Sequence, residues 1–387
     1  MNKIKVVLIQ RICAFYNVPL FQHLASEKDI DLILYYGQPK HRQGSKLRNA
    51  TNINGFQTKK LFTLHFDIKI KDRIFPVIFN PTTIFHLFRD KPHVIICEGE
   101  SNLLNNIFII LYAKLSKTPY IWWGLGRMRS TKPSILRKIF HPLIRYMLKN
   151  AAAILGYSTF AKNFYSSYGV NSDKIFVAYN CVDTDKIKQD IPKYTPLVEK
   201  EKEHLGIKNK KIILFVGSFT KEKQIENLIL AYKLIKQKIN DVALLLVGEG
   251  ETKKTIGPLV LDLHLDDVIL TGEHINDVSL YFLIGDVFVL PGQGGLAINQ
   301  AMAHGLPIVT VPADGTELDM VINGENGYIV KQDDINVLAD KIIQILENDT
   351  LRQKMKEKSK ELVTQKFNIQ NMVQVFMDSI RFSCNNK

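Results

Sequence analysis

Two doubly wound α/β domains are the architecture this sequence predicts, and three observations carry the prediction. The chain has 387 residues, too long for one ordinary core. Strand-like apolar runs alternate with helical patterns along its whole length, which is the signature of parallel sheets covered on both faces. A polar, charge-rich stretch at 185–210 falls near the middle, and a buried-type strand begins again at Lys211. The expected organisation is a Rossmann-like domain over 1–185, a linker over 186–210 with a short helix near 198–205, and a second Rossmann-like domain over 211–368. The two domains are expected to face a central cleft, with ligands at the carboxyl ends of the strands.

In the first half, strands are expected at 5–10, 32–36, 94–97, 120–123, 153–156 and 174–177, with helical patterns such as 19–27 and 102–116 between them. In the second half the strands are 211–216, 243–247, 267–271, 287–290 and 307–310, with helices at 224–238, 277–284 and 296–303. Helices at 349–366 and 369–383 end the chain.

Hydrophobic residues make up 46% and charged residues 23%, the composition of a soluble globular protein. Only the polar tip at 385–387 reads as disordered. Cys13, Cys97, Cys181 and Cys384 have neither metal-ligand nor redox-motif spacing. Reduced thiols in the cytoplasm are therefore expected, and no metal. The chain opens directly on a strand, with no signal-peptide pattern. Apolar runs such as 106–115 are shorter than the ~20 residues a membrane span needs.

A net charge of +13 requires an anionic partner: nucleic acid, nucleotide or membrane surface. Between 127 and 149 the charged residues are all basic (Arg127, Arg129, Lys132, Arg137, Lys138, Arg145 and Lys149) and alternate with aliphatic ones. That pattern suits a helix lying on anionic headgroups, or a solvated helix with a buried apolar side. A second basic-apolar stretch is 59–71. No aromatic RNA-binding or zinc motif accompanies the charge, which disfavours nucleic acid.

The most informative segment is 287–310. A buried strand ends at Leu290, Pro291 and the glycines at 292, 294 and 295 make a tight turn, and a helix follows until Gly305 and Pro307 stop it. Glycines allow close backbone approach, and a helix start offers free N–H groups and a positive dipole. A diphosphate fits that description; so does a plain strand–turn–helix. In 212–224 a strand ends at Gly217 and a loop carries Lys221 and Lys223, cations suited to phosphate or to solvent. In 314–328, Thr316 and Glu317 stand near a helix start on the same rim, where Glu317 also suits the role of first-turn acid. Glu98 and Glu100, at another strand end, could bind hydroxyls or supply a base.

Taken together these segments resemble glycosyltransferase family 4, with its two-domain GT-B fold. Phe215, Val216 and Gly217 with Lys223 are similar to its opening strand, loop and phosphate lysine. The runs 246–250 and 269–272 resemble its next two strand ends, 287–307 its donor motif, and 173–183 the segment before its linker. The resemblance implies sugar transfer from a nucleotide donor, UDP being the expected base, with retained anomeric configuration and neither metal nor other cofactor. It implies a donor site of Gly217, Ser218, Lys221, Lys223, Gly294, Gly295, Leu296, Asn299, Gln300 and Glu317, with Lys223 and Gly295 serving catalysis. It implies a glycan or lipid-linked acceptor on the first domain, at Arg11, Tyr16, Asn17, Glu98, Glu100, Trp123 and Arg127. It also implies a peripheral protein at the inner face of the plasma membrane, attached through the basic face 127–149, and a last helix, 369–387, that joins the first domain.

The sequence departs from the family pattern at four places. The two glutamates of the donor motif are Gly292 and Gln300, the phosphate arginine is Ser218, and the usual His-Gly is Trp123 and Gly124. Gln300 keeps one amide oxygen for ribose but no charge. Gly292 has no side chain to touch the donor sugar, so Gln293 or Asn299 would have to do so. An active retaining transferase is the expectation. A catalytically silent sugar-nucleotide-binding partner and a sugar-nucleotide epimerase of the same fold are the alternatives.

Overall fold

The computed structural model describes residues 3–39, 49–70, 73–127 and 140–385, without the side chains of 67–76 and Ser101. These form two compact units. The first takes residues up to Arg127, 140–179 and 370–385; the second takes 180–369.

In the first unit, β1 (Ile4–Gln10), β2 (Ile30–Tyr36) and β3 (Gln57–Lys60) are followed by a ribbon of β4 (Leu64–Ile70) and β5 (Arg73–Phe79), then β6 (Val94–Glu98), β7 (Tyr120–Gly124), β8 (Ala153–Gly156) and β9 (Ile175–Val177). The helices are α1 (Val18–Ser26), α2 (Thr83–Asp90), α3 (Leu103–Ser116), α4 (His141–Asn150) and α5 (Thr159–Ser167). Seven strands make one parallel sheet in the order β3-β2-β1-β6-β7-β8-β9, and β4 pairs antiparallel with β5. β1 and β6 occupy its centre, where both faces are covered. That is why Val6–Ile9 and Val94–Cys97 are unbroken apolar runs rather than alternating ones.

The second unit begins with α6 (Thr184–Tyr194) and α7 (Val198–His204). Its strands are β10 (Lys211–Val216), β11 (Val242–Val247), β12 (Val268–Gly272), β13 (Val287–Leu290), β14 (Ile308–Thr310) and β15 (Gly327–Ile329). They form a parallel sheet ordered β12-β11-β10-β13-β14-β15. Its helices are α8 (Ile225–Lys236), α9 (Lys253–Asp262), α10 (Val278–Ile284), α11 (Gly295–Ala303), α12 (Glu317–Met320), α13 (Ile335–Glu347) and α14 (Asp349–Gln365). Side-chain caps fix several starts: Asp183 accepts from Lys186 N–H, Asp334 from Val337 N–H and Asn348 from Leu351 N–H.

The structure departs from the sequence expectation at three places. Within the expected linker 186–210 the helix expected near 198–205 is present as α7, α6 precedes it, both pack on α10, and Tyr194 donates to the Asn276 carbonyl at 3.0 Å. The charges of α6 hide an apolar side, Ile187 and Tyr194, that is buried. The basic-apolar stretch 59–71, for which no element was expected, carries strand at 59–60 and 64–70. Elements such as β15, α2, α9 and α13 also lie where none was named: β15 has three residues and α9 contains Gly257 and Pro258, which weaken a periodic signal, whereas α13 is a regular 13-residue amphipathic helix.

The last helix, α15 (Ile369–Asn385), belongs to the first unit. Phe376 meets the Trp123 ring edge-on at 5.1 Å, Phe382 meets Phe176 at 5.5 Å, and Arg381 pairs with Asp29 at 3.0 Å. No described helix is long and apolar enough to cross a membrane. Phe376 is fully buried, so Phe376→Ala is expected to cost about 3–5 kcal/mol. Both tryptophans, Trp122 and Trp123, lie in the first unit. Chemical denaturation followed by tryptophan fluorescence therefore reads the effect there; an unchanged midpoint would contradict the docking of α15.

Candidate functional site

Each parallel sheet reverses its strand order once, between β1 and β6 in the first unit and between β10 and β13 in the second. The connections leave in opposite directions at such a point and open a crevice beyond the strand ends, where open α/β sheets bind ligands. The candidate residues cluster at these two places.

In the second unit, β10 delivers Gly217 and an exposed Ser218, then a short turn over Lys221–Lys223 with Lys221 exposed. β13 delivers Pro291, the 292–295 turn and α11. The Lys223 ammonium donates to the Gln293 carbonyl and stands against Gly294. The Gln293 N–H donates to the Glu222 carbonyl at 3.0 Å, so the two loops are tied backbone to backbone. Ala297 and Ile298 N–H bond back to the Gly294 carbonyl. The N–H groups of Gly294, Gly295 and Leu296 precede that first helical bond and have no acceptor inside the helix. A cation and a helix start thus converge on one turn, an arrangement whose charge and free N–H groups suit an anion.

Glycine is required at two positions of this turn for space. A Cβ on Gly292 would collide with the Glu222 carbonyl and the Lys223 backbone, and a Cβ on Gly295 would collide with the Thr316 hydroxyl. Position 292 therefore has no room for the glutamate found in the resembled family.

Two expected donor residues have other duties. Asn299 is fully buried: its Oδ1 accepts from Val182 N–H and its Nδ2 donates to the Phe367 carbonyl, both at 2.9 Å. Its amide ties together the two chain segments that enter and leave the second unit. Glu317 is buried, and its carboxylate accepts from Ala313 and Gly315 N–H at 2.8 and 2.9 Å. Burial pushes its carboxyl up. It braces the loop that puts Thr316 against Gly295, so it shapes the site without facing into it. Gln300 is half-buried one turn into α11, and its carbonyl accepts from His304 Nδ1 at 2.8 Å. His304 stacks on Phe282 and is buried; that burial drops it to about 4.

In the first unit, Arg11 follows β1 and Glu98 ends β6. Arg11 grips the Glu98 carboxylate through its backbone N–H and its guanidinium Nε, both at 2.8 Å. Exposed Tyr16 and half-buried Tyr157 share this neighbourhood. Burial, then Tyr16, Glu98 and Glu100, hold the Tyr157 phenol far above its usual value. Burial with the Glu100 carboxylate does the same to Tyr165. Tyr157 and Tyr165 escaped sequence reasoning; the one available signal was a tyrosine directly after the β8 strand end. Of three further expected acceptor residues, two are enclosed and one is exposed. Trp123 is buried among Phe21, Tyr157 and Phe376, Asn17 is buried against Gln10, and Arg127 is exposed.

Much of the expected basic face, 128–139, lies outside the described residues. In its described part, α4, the apolar residues Ile144, Met147 and Leu148 belong to the core. That helix has a solvated basic side, and its aliphatic side is covered by protein rather than open to a membrane.

The glycosyl transferases group 1 family model matches residues 198–362. The chain is similar to the capsular polysaccharide biosynthesis glycosyltransferase CapM of Staphylococcus aureus, 31% identical over 44% of this chain and 46% of that protein. It is also similar to the N-acetyl-alpha-D-glucosaminyl L-malate synthase of Bacillus anthracis, 28% identical over 49% of this chain and 51% of the other. The chain thus spans about half the length of these two relatives. In fold it is similar to HepE of Anabaena, whose crystal structure holds UDP: TM-score 0.76, 14% identity, covering 98% of this chain and 99% of that one.

The crowded turn and the buried histidine of α11 can each be tested by stability. Gly292→Glu, which restores the family residue, is expected to destabilise by about 1–3 kcal/mol through overpacking; a denaturation midpoint at or above the parent's would show that the turn has room. Between its ordinary 6.5 and about 4, His304 holds a proton only in the unfolded chain. Its contribution to stability is therefore complete above that window and is lost as pH falls through it. Denaturation midpoints measured from neutral pH down to pH ~4 should fall less steeply in His304→Gln than in the parent.

Proposed function

We propose that the chain, whose residues 198–362 match the glycosyl transferases group 1 family model, is a retaining glycosyltransferase. It moves a sugar, a hexose in our reading, from a nucleotide donor to a glycan or lipid-linked acceptor in surface polysaccharide synthesis. The donor is a UDP-sugar bound on the second unit. The observation that carries this reading is the convergence of the Lys223 ammonium and the α11 start on the 292–295 turn at the strand-order reversal. The UDP in the HepE structure and the capsular role in the CapM name support it.

In the proposed reaction the bond between the sugar C1 and the diphosphate oxygen breaks while the acceptor oxygen bonds to C1 on the same face. The acceptor proton passes to the departing phosphate oxygen. No protein carboxylate attacks C1, so the absence of a side chain at Gly292 removes no nucleophile. The Gly294, Gly295 and Leu296 N–H groups and Lys223 stabilise the charge that grows on the leaving diphosphate. Gln300 takes the ribose through its amide, and Gly217 with Ser218 and Lys221 completes the phosphate side. The Arg11–Glu98 pair, with Tyr16 and Glu100, receives the acceptor. No metal takes part, and the protein works on the cytoplasmic side of the plasma membrane.

A thermal-shift panel of UDP-, GDP- and dTDP-sugars identifies the base, and the UDP-sugar is expected to stabilise. Lys223→Ala is expected to lower kcat/KM for donor hydrolysis or transfer by about 10²–10³; an unchanged rate and donor affinity would remove Lys223 from the site. Donor binding with no release of sugar by the parent protein would instead favour the silent-partner reading.

A further inference from the structure

The first unit carries a broad apolar face that its own core does not use. On α3 the outward residues are Leu104, Ile107, Phe108, Leu111 and Leu115, spaced three and four apart, so they line one side of the helix. The opposite side of α3 (Ile109, Ile110, Tyr112 and Ala113) is already buried in the core. Apart from Asn105, Asn106 and the C-terminal Lys114 and Ser116, the helix is apolar on its solvent side as well as its core side, which is not how a surface helix is built.

Neighbouring elements extend the same face. α2 packs beside α3 and adds Phe85 and Phe88; the Phe88 ring meets Tyr112 of α3 edge-on at 4.8 Å. One turn away on the same flank of α3, Phe79 of β5 lies against Phe108 at 5.3 Å. Phe79 is opposite Leu64 in the ribbon register, and Phe66 stands two residues on, so Leu64 and Phe66 share its side of the ribbon. Exposure is large: 66% for Leu115, 65% for Phe85, 48% for Leu111 and 48% for Phe66. Single exposed apolar residues need no explanation, but a contiguous field of them marks an interaction surface.

Among the described residues, the exposed charges set around this field are basic. Arg89 and Lys91 stand at the end of α2, Lys114 and Lys117 at the end of α3, and Lys60 at the end of β3. Asp90 is shared by Lys59 and Arg89 and does not reverse the sign. Charge selects the occupant. A second copy would bring the same basic rim against itself, and like charges across an interface repel. An anionic bilayer accepts both components: aromatic and aliphatic side chains enter the headgroup–acyl boundary, while lysine stems extend along it with their ammonium groups among the phosphates.

We propose that this face of α2, α3 and the β4–β5 ribbon docks the protein on an anionic lipid bilayer. The docking goes beyond the transferase reading and does not depend on it. It assigns membrane contact to a surface other than the basic stretch 127–149, whose described helix turns its aliphatic side to the core.

The full chain is co-sedimented with vesicles of phosphatidylcholine alone and of phosphatidylcholine mixed with phosphatidylglycerol. Binding is expected to the mixed vesicles, much weaker to the neutral ones, and to fall as salt is added. The double variant Phe85→Ser, Leu111→Ser should lower partitioning by about tenfold or more, as should Lys114→Glu with Lys117→Glu. Leu261→Ser, an exposed apolar residue of the second unit, should change nothing. All these side chains are exposed, so the variants should fold, which circular dichroism checks. Two results would overturn the proposal: vesicle binding by the double variants equal to that of the parent, or a parent dimer that Phe85→Ser, Leu111→Ser converts to monomer while vesicles bind neither.

Discussion

Crowding at the carboxyl edge of the second sheet is the constraint from which the candidate donor site follows. The loops after β10 and β13 are in contact through their backbones: the Glu222 carbonyl and the Lys223 main chain occupy the space beside Gly292, and the Thr316 hydroxyl occupies the space beside Gly295. Neither position tolerates a side chain while those loops stay where they are. Because the loops are so close, the Lys223 ammonium reaches the Gln293 carbonyl, at the start of a helix whose first N–H groups are unsatisfied from within. A cation and a helix dipole then act on one small volume, where each is worth more than on an open surface.

Several residues at or near the two sites carry their chemistry in support of that arrangement. Asn299 uses its whole amide to hold residues 182 and 367, where the chain enters and leaves the second unit. Glu317 commits its carboxylate to the loop that presents Thr316. Trp123 is a packing centre for α1, α15 and the residue after β8. In each case a polar or aromatic group near a strand end has been enclosed, with hydrogen bonds or ring contacts inside the protein. The groups that remain at the strand ends are fewer: the turn N–H groups, Ser218, Lys221, Lys223 and Gln300 on one sheet, and the Arg11–Glu98 pair with Tyr16 on the other.

The first unit also shows how one helix can serve two environments. One side of α3 completes the core with Ile109, Ile110 and Tyr112, while the other presents Leu104, Leu111 and Leu115. Such a helix reads as a fully buried element in one dimension. Only its neighbours reveal that one side is covered by protein and the other is not.

By itself the sequence determined the doubly wound architecture. Strands buried on both faces must be continuous apolar runs, and β1, β6, β10, β11 and β13 are such runs. It also determined the strand–turn–helix at 287–303, since glycine, a helix former and a helix stop are local signals. Tertiary structure decided the rest. That a further helix would precede the one expected near 198–205, and that both would pack on α10, depended on a partner far along the chain. That Asn299 and Glu317 would be enclosed, that Gly292 would be required by the backbone of residue 222, and that the apolar side of α4 would face the core while that of α3 stays open are all facts about distant partners. Periodicity and motif spacing record what a residue can do; which partner comes within hydrogen-bonding reach of it is settled only when the chain has folded.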